Sequence, residues 1–556
     1  MTEISQEGAS SEPARRTRSP LAVARNWWSW LRSYVDGLDG NELLGVSALL
    51  ALCVFVRLLR LQPIEYYDDE VSRWHFVRQW FHANQFGHAH WTHHMARFGV
   101  NVPLFFFFAL LGRRAPVYYV WPVVAFTLQV LFVYLTTKRL GGRAAGVLAA
   151  ILLSLFSGMD RGACQLLPDG IGGTAMILVC YLLIRYQEAT FEKRLRWLVG
   201  GALAFVWAYE IKESNLLFLP GTALGVWLCR GRFRDGVLFS AVLFAAIALE
   251  TAGFRIFTDY SSRFAIVEES HGIATVKSFW DLFERFTRLE QPWQILIYTW
   301  VLSALWLLGK RDRRAILLVV MPATFVLLLT FMVRSTDPIV LWTRFFSRYF
   351  EPTAALLVAA VALFLVEAGR RIWSTHAPIK VSEWLAPKLS AHPSLVTVLV
   401  CLLVGLAEYG ASGSSLPNPA LVDAHRIWSV TNDAYRRNLP IVQTHAPRGE
   451  IEERRVRSLK AVFSLYLDDQ LVATSDGSKR DVLPEVLDAV RNTRRYSYLV
   501  HDSRAYRPEQ VESMIEDGCA VVVTEEKNYL NAAPKVPSLV LQTREKLPAR
   551  CQPPRS

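Results

Sequence analysis

The feature that most constrains the fold of this chain is a series of long apolar runs that contain few charges. Two of them read LLGVSALLALCVFV and AILLVVMPATFVLLLTFMV. A helix needs about 20 apolar residues to cross a bilayer, and these runs approach that length. The chain is 52% hydrophobic and 20% charged, and its mean hydropathy of +0.22 is unusual for a soluble protein. The sequence therefore predicts a polytopic α-helical membrane protein.

The apolar runs predict about eleven transmembrane helices by length and composition. The candidate segments lie at 42–61, 115–137, 144–158, 170–186, 197–210, 215–229, 236–257, 292–309, 314–333, 346–367 and 395–411. One further run, NVPLFFFFALLG at 101–112, is apolar but short. Whether it crosses decides which side of the membrane every later loop faces.

The loop charges indicate that 101–112 does not cross. With the basic N-terminus inside, most basic residues then fall in short cytoplasmic loops, as the positive-inside rule expects. The segment 101–112 becomes a juxtamembrane or re-entrant part of a long outer loop, 62–114, together with a juxtamembrane helix at 71–83. The net charge of +12 reflects loops beside anionic lipid, so nucleic acid is not expected as a partner. The cytoplasmic basic residues are Lys138, Arg139, Arg143, Lys193, Arg194, Arg196, Arg230, Arg232, Arg234, Lys310, Arg311, Arg313, Arg314, Arg370 and Arg371.

Three domains follow from this topology. Residues 1–41 form a cytoplasmic, partly disordered N-terminus, and 42–411 form the transmembrane domain. Residues 412–556 have ordinary charge density and are predicted to be a small extracytoplasmic α/β domain. In it, RRYSYLVHDS and GCAVVVTEE resemble strands around a helix, PEQVESMIED. Cys519 and Cys551 lie in this domain, and an oxidising compartment would allow them to pair.

The first outer loop begins with IEYYDDEVSRWHFVRQWF, which carries Asp68, Asp69 and Glu70. Apolar residues after these acids recur at helical spacing, which is typical of an interfacial helix. Two interpretations remain open at this point. The acids could stabilise the first turn of that helix through its dipole, or they could take part in chemistry.

Two later outer loops also carry charged residues. The stretch MDRGACQLLPDGIGG holds Arg161 and Asp169, and Asp169 could be a functional carboxylate or a helix cap. The stretch YEIKESNLLFLPG holds Lys212 and Glu213, which could serve a site or form a local ion pair at a turn.

Arginines at the outer ends of predicted spans run against the positive-inside tendency. Arg344 and Arg348 lie in the stretch VRSTDPIVLWTRFFSRYFEP with Arg334, and Arg57 and Arg60 end the first span. Anion binding would explain them, because the guanidinium group offers a fixed fork to phosphate. Pairing with the carboxylates of the other outer loops is the alternative.

The outer loops together supply carboxylates and cations on one side of the membrane. A carboxylate can take a proton from a hydroxyl, and cations can stabilise charge that develops on a phosphate leaving group. The first loop also contains four histidines without a regular metal-ligand motif, so no metal site is predicted. They are His88, His90, His93 and His94.

The order of these motifs resembles the membrane glycosyltransferases of the C-type fold, in particular the protein O-mannosyltransferase and aminoarabinose transferase family. The resemblance covers about 42–370. In that family an Asp-Glu pair follows the first span, a short basic loop follows the second, and an Arg and an Asp mark the second outer loop. A Lys precedes a later span, and an Arg-Tyr pair opens a late one. The matching elements here are Asp69-Glu70, KRLGGR, Arg161, Asp169, Lys212 and Arg348-Tyr349.

The resemblance implies transfer of a monosaccharide from a polyprenyl-phosphate-linked donor to a hydroxyl of a glycan, lipid or protein. Asp69 would be the general base of an inverting reaction, Glu70 would support it, and Asp169 would position the acceptor or a cation. Asp68 could replace Asp69 as the base. The resemblance requires no cofactor, nucleotide sugar or metal. The expected substrate-binding residues are Arg60, Arg161, Lys212, Arg344, Arg348 and Tyr349.

Two other functions compete with an enzyme. A transporter or lipid flippase would carry ionisable residues inside its spans and repeated halves with broken helices, and the sequence shows no clear repeat. A structural or assembly protein would act through its outer domain. The concentration of polar residues in outer loops favours an extracytoplasmic enzyme in a bacterial inner or plasma membrane.

Overall fold

The computed structural model describes the apolar core of the chain and parts of its outer segments. It describes residues 40–61, 73, 76–77, 93–112, 117–230, 232–258, 260–270, 274–276, 280–287, 289–336, 339–341, 347–376 and 393–411, and five strands within 441–543.

The described residues form mainly α-helices, joined by three short 3-10 helices at Ser157–Met159, Glu213–Phe218 and Ser347–Thr353. The α-helices are α1 Gly40–Leu59, α2 Phe98–Leu111, α3 Val117–Gly141, α4 Arg143–Leu155, α5 Pro168–Glu188, α6 Phe191–Ile211, α7 Leu219–Arg230, α8 Phe233–Phe257, α9 Arg263–Ser270, α10 Trp280–Thr287, α11 Gln291–Lys310, α12 Leu317–Phe331, α13 Ala354–His376 and α14 Pro393–Ala411.

Each of the eleven predicted apolar segments coincides with one of these helices. Among the described residues, seven helices are long and apolar enough to cross a membrane. These seven spans are Glu42–Leu59, Val117–Gly141, Pro168–Glu188, Phe233–Phe257, Gln291–Lys310, Ser347–Ile372 and Pro393–Ala411. Three of the remaining four segments form the shorter helices α4, α7 and α12, and the fourth forms α6, which has 21 residues but is not among the seven. A total of eleven crossings therefore stays a prediction.

Helix α5 is the centre of the bundle. In its apolar window 83% of the residues are buried, against 17% in α8 and 22% in α14, whose apolar faces are exposed. Small residues at the start of α5 permit this central place, because they let neighbouring backbones approach closely. A side chain on Gly170 would overlap the carbonyl of Gly162, and one on Gly173 would overlap the amide of Gln129.

Helix α2, which contains the short apolar run 101–112, lies along one end of the bundle. Its 14 residues span about 21 Å, less than the hydrocarbon core of a bilayer. Near its start, Gly99 packs on the backbone of Ile211 at the end of α6. Near its end, Phe107 stacks on Trp121 in the second turn of α3, with ring centroids 6.0 Å apart. Both contacts are at the same end of the bundle, which agrees with the expectation that this segment does not cross.

The ion pairs separate into two sets at opposite ends of the helices. We call the end that holds Arg57 and Asp160, joined at 2.8 Å, the site end. We call the end that holds Arg139 and Glu188, joined at 2.6 Å, the basic end. Between the described residues, every ion pair joins segments whose predicted side of the membrane is the same. The site-end pairs also include Arg60–Glu408, Arg97–Glu213, Lys212–Asp169 and Arg263 with Glu210 and Glu250, and the basic-end pairs include Lys138–Glu42, Arg194–Asp235 and Lys310–Glu367.

The described strands form two separate sheets. The first is a small antiparallel sheet in the order β1-β3-β2, from β1 Ala274–Val276, β2 Val333–Thr336 and β3 Ile339–Leu341. The second lies in the C-terminal region and has the order β5-β4-β6-β8-β7. Its strands are β4 Ile441–Thr444, β5 Leu471–Ala473, β6 Tyr498–Asp502, β7 Ala520–Lys527 and β8 Pro537–Thr543.

The C-terminal sheet contains both strands that the sequence predicted in this region. RRYSYLVHDS contains β6, and GCAVVVTEE overlaps β7. In this sheet β4 is parallel to β5 and β6, whereas β8 is antiparallel to β6 and β7. The predicted helix PEQVESMIED, together with Cys519 and Cys551, lies outside the described residues. The α/β assignment of the whole domain therefore stays a prediction.

Candidate active site

Asp169 lies in the first turn of α5, directly after Pro168. Proline suits the first position of a helix because its missing N–H has no helical partner there, and the helix dipole favours a carboxylate in the first turn. The N-cap of α5 is Leu167, and among the described residues no side chain caps the helix by a hydrogen bond. The interpretation of Asp169 as a capping residue is therefore wrong.

Asp169 pairs instead with Lys212, which follows the last residue of α6. Lys212 Nζ donates a hydrogen bond of 2.6 Å to Asp169 Oδ1. The two side chains are 9% and 2% exposed, so the pair is buried. Glu213 pairs with Arg97 at 2.8 Å, and within the described residues it forms no ion pair with Lys212. The alternative of a local ion pair between Lys212 and Glu213 is therefore wrong.

Tyr349 joins this pair from a third segment. It lies in the 3-10 helix Ser347–Thr353, which packs against α5. Lys212 Nζ lies 4.2 Å from the centre of the Tyr349 ring, and the guanidinium carbon of Arg348 lies 5.3 Å from it. Cations in these positions are attracted to the face of an aromatic ring. The ring thus lies close to two cations that the sequence predicted to bind substrate.

Glu351 is a carboxylate of this cluster that the sequence analysis missed. It is 2% exposed and has electrostatic interactions with Asp169, Arg348, Arg161 and Lys212. Within the described residues, the buried oxygens Glu351 Oε2 and Asp169 Oδ2 accept no hydrogen bond. The available signal was a charged residue at the start of an apolar run, RYFEPTAALLV, where an ionisable residue is costly and usually functional.

Gly162 leaves room for the Glu351 carboxyl group. A methyl group on Gly162 would overlap Glu351 Oε2 and lie 2.5 Å from its carboxyl carbon. Gly162 also lies against Gly170 in the first turn of α5. The backbone of the second outer loop at Gly162 therefore lies in direct contact with the Glu351 carboxyl group of the 3-10 helix. We call Arg161, Asp169, Lys212, Arg348, Tyr349 and Glu351 the charged cluster.

Arg60, expected to bind substrate, is held by protein groups. Its Nε donates to Glu408 at 2.6 Å, and its Nη1 donates to Asp160 at 3.2 Å and to the carbonyl of Leu155 at 3.0 Å. The fully buried Arg57 donates to the same Asp160 oxygen at 2.8 Å. These bonds join the ends of α1, α4 and α14. A role of Arg60 in substrate binding stays a prediction.

The end of the first outer loop is also anchored at the site end. Arg97 Nη2 donates to Glu213 Oε1 at 2.8 Å, which ties the start of α2 to the segment after Lys212. Burial raises the pKa of Glu213, but the Arg97 guanidinium outweighs it and holds that pKa below its usual range. The Asn101 side-chain amide donates to the carbonyl oxygen of His94 at 3.0 Å. These contacts fix the segment before α2 against the end of α6.

Several predicted site residues lie outside the described part of the chain. Among the described residues, no group of three His, Cys, Asp or Glu side chains is arranged to hold a metal ion. His93 and His94 are described, and their rings lie 3.7 Å apart. The site residues outside the described part are Asp68, Asp69, Glu70 and Arg344, and two of the four histidines, His88 and His90, lie outside it as well.

Comparisons with known proteins agree with the predicted resemblance. A family model described as dolichyl-phosphate-mannose-protein mannosyltransferase matches 101–252, which includes Arg161, Asp169 and Lys212. Among solved crystal structures, the fold of this chain is similar to that of ArnT from Cupriavidus metallidurans. The match to the apo form of ArnT has a TM-score of 0.52 at 13% identity and covers 96% of this chain and 100% of the ArnT chain.

A second ArnT structure from the same organism, bound to undecaprenyl phosphate, has a TM-score of 0.50 at 13% identity and covers 92% of this chain and 98% of that one. No curated protein matches the chain in sequence. The likeness to ArnT shows the fold, and the family model covers only part of the chain. Together they confirm the resemblance to C-type membrane glycosyltransferases and indicate a glycosyltransferase.

Proposed function

We propose that this protein transfers a monosaccharide from a polyprenyl-phosphate-linked donor to an acceptor hydroxyl on the extracytoplasmic face of a membrane. The observation that carries the proposal is the buried contact of Lys212 with Asp169 beneath the Tyr349 ring. It gathers residues from three separate outer segments at one end of an apolar bundle. Arg161 and Arg348 lie in the same cluster and add positive charge.

This set of groups suits a lipid-linked phosphate as the leaving group. Arg and Lys stabilise charge that develops on phosphate oxygens, and low dielectric surroundings strengthen that effect. Because the charged cluster lies at the end of the apolar helices, a polyprenyl tail can stay in lipid while its phosphate reaches the cations. In agreement with this, one ArnT structure of the same fold contains undecaprenyl phosphate.

In the proposed reaction, the acceptor oxygen forms a bond to the anomeric carbon of the sugar. The bond from that carbon to the phosphate oxygen breaks, and its electron pair stays on the phosphate. The proton of the acceptor hydroxyl passes to a carboxylate, for which Asp69 is the candidate, with Glu70 in support. Attack opposite to the phosphate inverts the anomeric centre. Asp169 holds Lys212 and positions it towards the phosphate.

The anchors on both sides of the Asp69-Glu70 pair support its place in this site. Arg60, before the pair, donates to Asp160, and Arg73, after it, donates to the carbonyl of Leu166. Both acceptors belong to the second outer loop, which ends at the start of α5. Four residues of chain reach at most about 14 Å, so Arg73 keeps Asp69 within that distance of its own backbone.

The Asp69→Asn variant tests the proposed base. It should lower transfer from the donor by roughly 10²- to 10⁴-fold, the usual contribution of a general base, while the protein inserts and purifies normally. Asp235→Asn is the matched control, because Asp235 is a buried carboxylate at the basic end that accepts a hydrogen bond from Tyr186. Unchanged transfer by Asp69→Asn would remove Asp69 from the mechanism. Asp68→Asn, measured beside it, decides between the two aspartates.

A further inference from the structure

A cleft of about 490 Å³ opens at the basic end of the bundle, far from the charged cluster. It lies between the end of α7, the end of α11 and the start of α12. Its walls are largely apolar and include Trp227 and Leu308, which are 43% and 49% exposed. Its mouth carries Arg311, Asp312 and Arg313. An apolar space of this size beside cations fits a molecule with an apolar tail and an anionic head.

The two arginines at the mouth differ from the basic residues on either side of them. Lys310 pairs with Glu367 at 3.3 Å, and Arg314 pairs with Asp312 at 3.1 Å. Arg311 and Arg313 are exposed, and neither forms an ion pair with a carboxylate in the described part of the chain. Because Asp312 already pairs with Arg314, the positive charges of Arg311 and Arg313 remain at the cleft mouth.

The backbone directs Arg311 to this position. Its φ of 53° is left-handed, and it is the one described residue other than glycine with a positive φ. It ends α11 as the C-cap, where the backbone amide donates to the carbonyl of Leu308. Glycine is favoured at such a position, because a side chain is strained there. An arginine at this turn is consistent with a requirement for charge at the cleft mouth.

We infer that this cleft binds an anionic phospholipid, with the phosphate on Arg311 and Arg313 and an acyl chain between α7 and α11. Basic pockets between membrane helices recognise acidic lipid headgroups, and each basic residue near the membrane surface adds to the attraction. A free phosphate would satisfy the arginines but leave the apolar walls of the cleft without a partner. The phospholipid satisfies both, which makes it the better occupant. This site is independent of the sugar-transfer site.

The inference is tested on the purified full-length protein with native mass spectrometry and lipid titration. The probes are phosphatidylglycerol, phosphatidylcholine of the same chain length, and glycerol phosphate. Phosphatidylglycerol should bind about tenfold or more tightly than the other two, because only it combines net charge with an acyl chain. The Arg311→Gln/Arg313→Gln double variant should lose that preference.

Arg232→Gln/Arg234→Gln is the matched control, since it removes two exposed arginines at the same end that do not line the cleft. Its preference for phosphatidylglycerol should equal that of the wild type. Leu308→Trp keeps both arginines but fills the cleft from an exposed position, and it should also weaken the binding of phosphatidylglycerol. This variant keeps the test decisive if the double variant does not fold.

Three results would overturn the inference. Equal binding of phosphatidylglycerol and phosphatidylcholine would show that the headgroup is not recognised. Glycerol phosphate that binds as tightly as phosphatidylglycerol would indicate an anion site without a lipid chain. A preference that survives in the folded Arg311→Gln/Arg313→Gln variant, or in Leu308→Trp where the double variant does not fold, would place the lipid elsewhere on the protein.

Discussion

At the scale of single residues, the charged cluster depends on a small number of close contacts. Lys212 donates a hydrogen bond to Asp169, and Gly162 leaves the space that Glu351 occupies. Asp169 and Lys212 were predictable from their positions in the sequence, but their pairing was not, because Glu213 is the nearer partner along the chain. Glu351 was missed because it opens an apolar run that otherwise indicates only a membrane helix.

The Gly162→Ala variant tests the contact with Glu351. The added methyl group would overlap the carboxyl group, so it should destabilise the fold by about 1–3 kcal/mol, as overpacking does, and reduce transfer. Gly200→Ala on α6 is the control, because of the described residues its methyl group would meet only Leu182, at 4.0 Å. Thermal unfolding and transfer are measured for both. Equal stability and activity of the two variants would contradict the packing described here.

Replacement of Lys212 separates structural from functional roles of the buried pair. Lys212→Met leaves Asp169 charged and buried without its partner, which should cost about 3–5 kcal/mol of stability. The double variant Lys212→Met/Asp169→Asn should regain most of that stability, because no unpaired charge remains, but it should stay inactive. Thermal unfolding and a transfer assay distinguish the two effects. A double variant that regains transfer would show that the pair is only structural.

At the scale of elements, the lengths of the apolar runs account for most of the helices that the sequence predicted. Every predicted apolar segment is helical, because twenty or so apolar residues leave few alternatives to a helix in lipid. The site end was harder to predict, since it consists of short 3-10 helices and loops held by contacts between distant residues. Arg60 shows the limit: its position suggested phosphate binding, yet it joins α1 to Asp160 and Glu408.

The Arg97–Glu213 pair, which ties α2 to the segment after α6, should make stability depend on pH. The pKa of Glu213 is lower in the folded protein than its ordinary value of about 4.3. Its contribution is therefore complete above that value and is lost as the pH falls towards the folded pKa. The melting temperature of Glu213→Gln should be below that of the wild type at pH 7, and the difference should shrink below pH 4.

Glu192→Gln is the control for this pH series, because Glu192 is an exposed glutamate at the basic end. Its melting temperature should follow the wild type at every pH. A difference between Glu213→Gln and the wild type that stays constant from pH 7 to pH 3 would contradict the assigned pairing.

At the scale of the whole molecule, charges are sorted between two ends of an apolar bundle. Loop charge alone predicted this division, and the ion pairs follow it: Arg139 pairs with Glu188 at one end, and Arg57 pairs with Asp160 at the other. The sequence could predict the division because the positive-inside rule acts on every loop. It could not predict which outer charges bind each other, because that depends on how the helices pack.

Thiol labelling in intact cells tests which end faces outward. Ser261→Cys places a thiol in an exposed position at the site end, and Glu192→Cys places one at the basic end. In a background whose native cysteines are replaced by serine, a membrane-impermeant maleimide should label Ser261→Cys and leave Glu192→Cys unlabelled. Permeabilised cells should show labelling of both. The reverse pattern in intact cells would place the charged cluster in the cytoplasm.

The most direct test of the account is sugar transfer by the reconstituted full-length protein with a panel of polyprenyl-phosphate monosaccharides. We expect at least one donor to yield polyprenyl phosphate and a glycosylated acceptor. Lys212→Met should lower kcat/KM for that donor by about 10²- to 10³-fold, the effect of removing one group that stabilises developing charge, while Asp235→Asn should retain activity. Transfer that Lys212→Met leaves unchanged, or lipid movement across the bilayer without transfer from any donor, would contradict the account.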